Sequence, residues 1–220
     1  LMGALYAMVV NQSVVFFVTL GFVLKSSWFK LEYFRKGVDK ESLIKLSKYS
    51  LMAITSALTV PMSHLIIRNY IGDNLSWDDA GYWQGIWYIS TMYLMIVTTS
   101  LGVYYLPKLS EIQDNKELKK EIISGYKIIM PIVIILAFSI YLFRELAVHI
   151  AFSEKFLPML ELFKWQLIGD VIKIASWLLA YLMLAKAMTK IFIYTEIVFS
   201  ILFVVLSIVF INYFGLVGVT

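Results

Sequence analysis

The stretch FKWQLIGDVIKIASWLLAYLMLAK, residues 163–186, decides the fold class of this chain. It is long enough to cross the hydrocarbon core of a membrane, which takes about 20 helical residues. Two charged residues, Asp170 and Lys173, interrupt the apolar run. A charged side chain at membrane depth is unfavourable, on the order of a few kcal/mol each. The segment therefore predicts a membrane-spanning helix whose two charges have a structural or a functional reason.

The composition of the whole chain is typical of a multi-pass membrane protein. Of its 220 residues, 60% are hydrophobic and 15% are charged, whereas about 25% of the residues in a soluble domain are charged. The formal net charge of +4 is therefore not a sign of nucleic-acid binding, and we expect none. The chain has no cysteine and only two histidines, so we expect neither a metal centre nor a cofactor.

Six apolar segments qualify as spans: 2–24, 48–68, 82–106, 126–143, 162–186 and 191–213. Only helices or closed barrels cross a bilayer, and these runs are too long and too continuous for barrel strands. We therefore predict an all-α polytopic membrane protein with six transmembrane helices. A span is already under way at the first residue and a new apolar segment begins at the last, so we expect a fragment of a longer protein.

Basic residues segregate to one side of the six spans. The loops 25–48, 108–127 and 186–190 carry fourteen Lys and Arg residues, against four in the loops of the other side. By the positive-inside rule, the fourteen-charge side is cytoplasmic. Residues 108–127 are predicted to form a solvated amphipathic helix at the inner surface, and residues 27–40 to lie at the interface. No loop has room for a soluble catalytic domain.

Polar residues at helical spacing mark one face of three spans. They are Ser56, Thr59 and Ser63 around Pro61 in the second span; Gln84, Tyr88, Thr91 and Thr98 in the third; and Gln166, Asp170, Lys173 and Trp177 in the fifth. The stripes predict a water-accessible lumen, and the alternative is that Ser and Thr only join helices. Asp170 and Lys173 either pair with each other or face the lumen as sites for a cation and an anion.

Two further features have two interpretations each. The aromatic residues Trp77, Tyr82, Trp83, Trp87 and Tyr88 fit an interfacial belt, or a surface on which sugar rings stack while Gln84 supplies hydrogen bonds. Glu196, near the cytoplasmic end of the last span, is either a titrating group or half of a surface ion pair with Lys190.

Three strings, FKWQLIGDVIKIASWLLAYLMLAKA (163–187), SWDDAGYWQG (76–85) and LPKLSE (106–111), resemble the Wzx-type flippases for lipid-linked oligosaccharides. The resemblance runs from about Lys45 to Lys190. It is to the branch with O-antigen translocases and enterobacterial common antigen lipid III flippases, within the multidrug/oligosaccharidyl-lipid/polysaccharide exporter superfamily. That family implies about twelve helices in two lobes around a central cavity. Residues 1–24 would be the last helix of the first lobe, 25–47 a basic cytoplasmic linker, and 48–220 the second lobe, truncated before its final helix.

The resemblance also implies a function. The chain would belong to a transporter, not an enzyme, that moves undecaprenyl-pyrophosphate-linked oligosaccharide from the cytoplasmic to the periplasmic leaflet of the bacterial inner membrane by alternating access. The glycan would be an O-antigen or enterobacterial common antigen repeat unit, as in lipopolysaccharide biosynthesis. Membrane lipid, a polysaccharide polymerase and a chain-length regulator are candidate partners, and a proton or sodium gradient is the candidate energy source.

The candidate site residues follow from the stripes and from this implied substrate. Substrate or lumen candidates are Lys173, Asp170, Gln166, Gln84, Trp83, Thr91, Arg68 and Lys164, and ion-coupling candidates are Asp170 and Glu196. The cationic side chains among them are the ones suited to a pyrophosphate.

Other functions stay open from the sequence. A multidrug-type exporter of the same superfamily would favour acidic residues without a lumenal lysine. A membrane-embedded polysaccharide polymerase or glycosyltransferase would need catalytic carboxylates or arginines on a sizeable surface loop. A structural subunit without transport activity would not need polar stripes.

Overall fold

The computed structural model describes residues 2–26 and 39–220. All the regular elements within these ranges are helical, and six helical segments there are long and apolar enough to cross a membrane. The prediction of an all-α polytopic protein with six transmembrane helices is thereby confirmed. Most of the predicted interfacial stretch 27–40, and half of the predicted linker 25–47, lie outside the described residues.

The chain divides into two compact units, Leu1–Lys45 and Leu46–Thr220. The first contains helix α1 (Met2–Lys25) and the start of helix α2 (Lys40–Asn74). The Asp39 carboxylate caps α2 by accepting the backbone N–H of Ser42 at 3.0 Å. This hydrogen bond holds the pKa of the Asp39 carboxyl below its ordinary value, because it stabilises the charged form. The cap is therefore complete above the ordinary pKa of aspartate and is lost as the pH falls through the lowered pKa.

The second unit contains the remaining elements. Helix α3 (Trp77–Ser100) runs through a π-helical turn (Leu101–Tyr105) into α4 (Leu106–Glu111); then come α5 (Asn115–Leu142), α6 (Arg144–Ala151), a 3-10 segment (Glu154–Leu162), α7 (Phe163–Ala185), α8 (Thr189–Phe214) and a 3-10 turn (Gly215–Val219). The six predicted spans fall on the helical segments of the two units, to within one residue at each end. The helices extend beyond several of the predicted ends because polar capping residues, and not the limits of the apolar runs, determine where they start.

The link between α2 and α3 shows this effect. Ser76 caps α3 by accepting the N–H of Asp79 at 3.0 Å, and Asp78 and Asp79 lie in the first turn of the helix. Carboxylates are favourable there because the amino end of a helix carries a partial positive charge. The acidic run between the second and third spans therefore starts a helix and leaves only a short turn outside.

The prediction that residues 108–127 form one surface helix is wrong, because they are divided between α4 and α5. Residues up to Glu111 complete α4, and Asp114 caps α5 by accepting the N–H groups of Lys116 and Glu117, both at 2.9 Å. The lysine-rich segment is thus the start of the fourth membrane helix. The Lys186 ammonium donates to the Ile112 carbonyl, which brings two of the loops predicted as cytoplasmic to the same end of the unit.

Helix α3 lies at the centre of the second unit. One side packs against α5 and α7, where Val97, Val133 and Ile174 are among the buried residues. The other side packs against α2 and α8, with Trp83 and Ile71 in the contact. The outward apolar side chains of these helices are largely exposed, as expected of surfaces that lipid covers. The core is therefore two clusters that share one central helix.

The π-helical turn at the end of α3 has a local cause. In a regular α-helix, the ring of Pro107 would clash with the carbonyl four residues earlier. The Leu106 N–H instead bonds to the carbonyl of Leu101, five residues back, which widens the helix ahead of the proline. The neighbouring Tyr105 ring packs against Gly125 of α5, where an added Cβ would lie 2.9 Å from a ring carbon.

We predict that Gly125→Ala destabilises the protein, because the Cβ overlaps the buried Tyr105 ring and overpacking of this kind costs about 1–3 kcal/mol. The measurement is the thermal unfolding midpoint of the purified protein in nanodiscs. Gly102→Ala is the matched control, since an added Cβ there has its nearest neighbour at 3.9 Å. Equal midpoints for the two variants would contradict the packing argument.

Candidate functional site

Helices α2, α3, α7 and α8 surround a cavity of about 560 Å³. Its polar wall consists of Ser63, His64, Thr91, Thr98, Gln166, Asp170, Lys173, Glu196, Ser200 and Thr220. Aromatic and aliphatic residues, among them Trp87, Trp177 and Leu94, complete the lining together with Gly169. Members of all three polar stripes therefore converge on one space.

The Asp170 carboxylate in this wall is completely buried. The Tyr93 hydroxyl donates to Oδ2 at 2.9 Å, the Gln166 amide to Oδ1 at 3.3 Å, and the Lys173 ammonium to Oδ1 at 2.6 Å. A buried charge is tolerated only where partners replace its lost hydration. These three donors explain how an aspartate is accommodated at membrane depth, and the bond from Tyr93 joins α7 to α3.

The Lys173 ammonium is hydrogen-bonded to Asp170 and also lines the cavity. Its side chain is 23% exposed, and Nζ lies 4.7 Å from the centre of the Trp87 ring, which is within cation–π distance. An ammonium has three N–H donors, and Asp170 takes one of them. Lys173 consequently forms the predicted ion pair and also presents positive charge to the cavity.

Glu196 belongs to α8 and is only partly buried. Its one hydrogen-bond contact within the described part of the chain is with the Thr59 hydroxyl, 3.5 Å from Oε1. Among the described residues it forms no ion pair, so the alternative of a surface pair with Lys190 is not observed. With His64 neutral, the charged lining residues Asp170, Lys173 and Glu196 leave this cavity with one excess negative charge.

A second cavity, also of about 560 Å³, adjoins the first toward the amino end of α3. The two share His64, Trp87 and Thr91 in their walls. The rest of the second wall is Gly81, Gln84, Gly85, Tyr88, Phe152 and Phe156. Gln84, Tyr88 and Thr91 of the third-span stripe thus line a neighbouring space, and none of its described lining residues carries a carboxylate, ammonium or guanidinium.

His64 is a site residue that the sequence pattern does not single out. Its ring stacks on Trp83 at 5.3 Å and meets Trp87 edge-on at 4.5 Å between ring centres. The sequence feature that could have identified it is a histidine next to Ser63 and close to Pro61 in an apolar span. Within residues 2–26 and 39–220, no group of three or more His, Asp or Glu side chains is placed to hold a metal ion.

Three candidate substrate residues line neither cavity. Trp83 is fully buried in the cluster between α2, α3 and α8. Lys164 is exposed, with Nζ 4.9 Å from the centre of the Trp165 ring. Arg68 is partly buried on α2. Their roles stay predictions, because helical spacing defines a face without showing which neighbour that face meets.

Comparisons with known proteins agree on one family. The model of the family described as polysaccharide biosynthesis protein matches residues 1–161. The lipid III flippases of Escherichia coli (strain K12) and Shigella flexneri are each 33% identical over 195 residues, which is 89% of this chain and 47% of either relative. The chain thus spans about half the length of these curated relatives. No solved structure matches it.

We predict that the two partners of the ion pair contribute unequally to stability. Lys173→Met leaves the buried Asp170 carboxylate without its cation, and breaking a buried pair in this way costs about 3–5 kcal/mol. Asp170→Asn costs less, about 1–2 kcal/mol, because the Tyr93 bond persists and the released ammonium can turn into the cavity. Thermal unfolding in nanodiscs measures both losses.

The double variant Asp170→Asn with Lys173→Met tests the coupling between the two residues. It is expected to be more stable than Lys173→Met alone, because no unpaired carboxylate remains. A double variant that shows the sum of the two single losses would contradict a direct interaction.

Proposed function

The chain belongs to the polysaccharide biosynthesis protein family, and from this we propose that it contributes to a flippase for lipid-linked oligosaccharides. In this proposal residues 48–220 form the second lobe of a two-lobe transporter, 25–47 the cytoplasmic linker, and 1–24 the last helix of the first lobe. The substrate is an oligosaccharide on undecaprenyl pyrophosphate, moved from the cytoplasmic to the periplasmic leaflet of the bacterial inner membrane. The names of the lipid III flippase relatives support this substrate class.

The observation that carries the proposal is the Lys173 ammonium at the wall of a cavity inside a multi-pass membrane protein. A sugar–pyrophosphate headgroup cannot cross hydrocarbon unaided, because its hydroxyls and phosphates would lose their hydrogen bonds to water. A polar cavity between helices supplies replacement partners while the prenyl tail stays in the lipid. Asp170 keeps Lys173 in position and Trp87 borders it, so the cation is oriented before the substrate arrives.

The charge of the cavity supports coupling to a cation. Glu196 shares the cavity with Lys173, and its negative charge opposes the binding of a pyrophosphate. A proton or sodium ion at Glu196 would remove that repulsion, so cation and substrate would bind with positive cooperativity. Glu196 suits this role better than Asp170, whose two oxygens already accept three hydrogen bonds.

Alternating access would come from rocking of one lobe against the other. The loops 25–48, 108–127 and 186–190 would face the cytoplasm by the positive-inside rule. The bond from Lys186 to the Ile112 carbonyl supports a common side for the second and third of these loops. Association with a polysaccharide polymerase and a chain-length regulator is part of the same proposal.

We predict that Lys173→Gln lowers surface polysaccharide at least tenfold in a flippase-deficient strain, because the pyrophosphate loses its cation. Lys173→Arg, which keeps the charge, should retain a substantial part of the activity. Glu196→Gln should also lower transport and make the remainder independent of the ion gradient. Polysaccharide on immunoblots, normalised to the amount of protein in the membrane, is the measurement.

Two controls separate charge in the cavity from pairing alone. Lys155→Gln removes an exposed cation that lines neither cavity, and it should behave as the unmodified protein. Exchange of the two charges, Asp170→Lys with Lys173→Asp, keeps the pair but moves the cation, and it should fail. Normal polysaccharide from Lys173→Gln at normal protein levels, or full rescue by the charge exchange, would refute the role of Lys173.

A further inference from the structure

The two adjoining cavities differ in their chemistry. The charged residues Asp170, Lys173 and Glu196 all line the first cavity. The second cavity is bordered by aromatic rings, the Gln84 amide, the Thr91 hydroxyl and two glycines, with no Asp, Glu, Lys or Arg among its described lining residues. A headgroup that carries its charge at one end and neutral polar groups at the other matches this division.

The lining of the second cavity suits neutral sugar rings. The C–H faces of pyranoses pack on aromatic rings, and their hydroxyls need donors and acceptors. Trp87 and Tyr88 supply rings, and the Tyr88 side chain is largely exposed. Gln84 supplies both an amide donor and a carbonyl acceptor, and within residues 2–26 and 39–220 no side-chain partner occupies it. Few polar groups in a mostly aromatic wall are typical of small-ligand sites.

Glycines keep the second cavity open. An added Cβ at Gly81 has no neighbouring atom within 4 Å, so a larger side chain there would enter free space. Gly85 differs, because an added Cβ would lie 3.1 Å from the Met159 sulfur and 3.5 Å from the Phe152 ring. Gly81 is therefore a position at which the cavity can be filled without disturbing the helix packing.

Gly169 offers the corresponding position in the first cavity. It lines that cavity, and the nearest atom to an added Cβ is the Thr220 carbonyl oxygen at 3.9 Å. The two glycines lie on different helices, α3 and α7. Each cavity can thus be reduced separately by one substitution.

We propose that the second cavity is the glycan subsite, which holds neutral sugar residues beyond the first while the first cavity holds the pyrophosphate. His64, Trp87 and Thr91 form the junction at which the headgroup passes from the charged space to the aromatic one. This inference rests on the proposed flippase function and deepens it. It makes Tyr88, Gln84 and Gly81, which line the second cavity alone, determinants of glycan length and identity, and it separates them from the residues that hold the charge.

The test uses two lipids in proteoliposomes with the protein as its host expresses it. One lipid is undecaprenyl pyrophosphate with a single N-acetylhexosamine, and the other carries the complete oligosaccharide of the host. Gly81→Leu and Tyr88→Leu, which both change residues of the second cavity alone, are expected to slow transport of the oligosaccharide lipid at least tenfold and that of the single-sugar lipid less than twofold. Gly169→Leu should slow both equally, because it fills the cavity of the charged group.

The controls are Gly81→Ala, which adds one methyl group, and Trp165→Leu, which removes an exposed tryptophan that lines neither cavity. Both should transport the two lipids at the rate of the unmodified protein. Equal slowing of both lipids by Gly81→Leu and Tyr88→Leu, or no slowing of either, would overturn the glycan subsite. If the unmodified protein moves neither lipid, the flippase function itself fails, and the subsite fails with it.

Discussion

The buried carboxylate of Asp170 is the constraint on which the rest of the site depends. An uncompensated charge in this position would be too unfavourable for a membrane helix to keep, so its three donors must be in place whenever the unit is folded. Tyr93 supplies one donor from α3, while Gln166 and Lys173 supply two from α7. The spacing of Gln166, Asp170 and Lys173 along one face of α7 therefore fixes how that helix is rotated against α3. The same contact determines that the Lys173 ammonium lies at the cavity wall.

The central position of α3 connects this network to both halves of the core. Its one side belongs to the cluster with α5 and α7, and its other side to the cluster with α2 and α8. Near its far end, Pro107 imposes the π-helical turn, and Gly125 allows α5 to approach Tyr105 closely. A proline and a glycine thus set the packing just beyond the carboxyl end of α3, and the hydrogen bond from Tyr93 to Asp170 sets it about two helical turns before Ser100.

All the charged lining residues belong to the first cavity, and none belongs to the second. The site therefore changes from charged to uncharged between one cavity and the next. Lys173 and Glu196 are opposite in charge within the first cavity, so in the proposed flippase a cation at Glu196 and an anion at Lys173 would favour each other's binding. The second cavity has aromatic rings and an amide in place of charge. In the proposed flippase, the residues that bind the pyrophosphate and those that stack on the glycan would therefore be able to change independently of one another.

The sequence alone determined the fold class, the number of spans and the polar faces of three helices, because span length, hydropathy and helical spacing are local properties. It also contained the strings that resemble the flippases, and it placed Asp170 and Lys173 on one face. Only the tertiary structure decided that Tyr93 holds Asp170, that Gln84 and Gln166 line different cavities, and that Trp83 is buried while Trp87 stands at the junction. It also brought in His64, which no spacing rule singles out. These features depend on which helix faces meet, and that is settled by packing between residues far apart in the chain, such as Thr59 and Glu196, which are 137 positions apart.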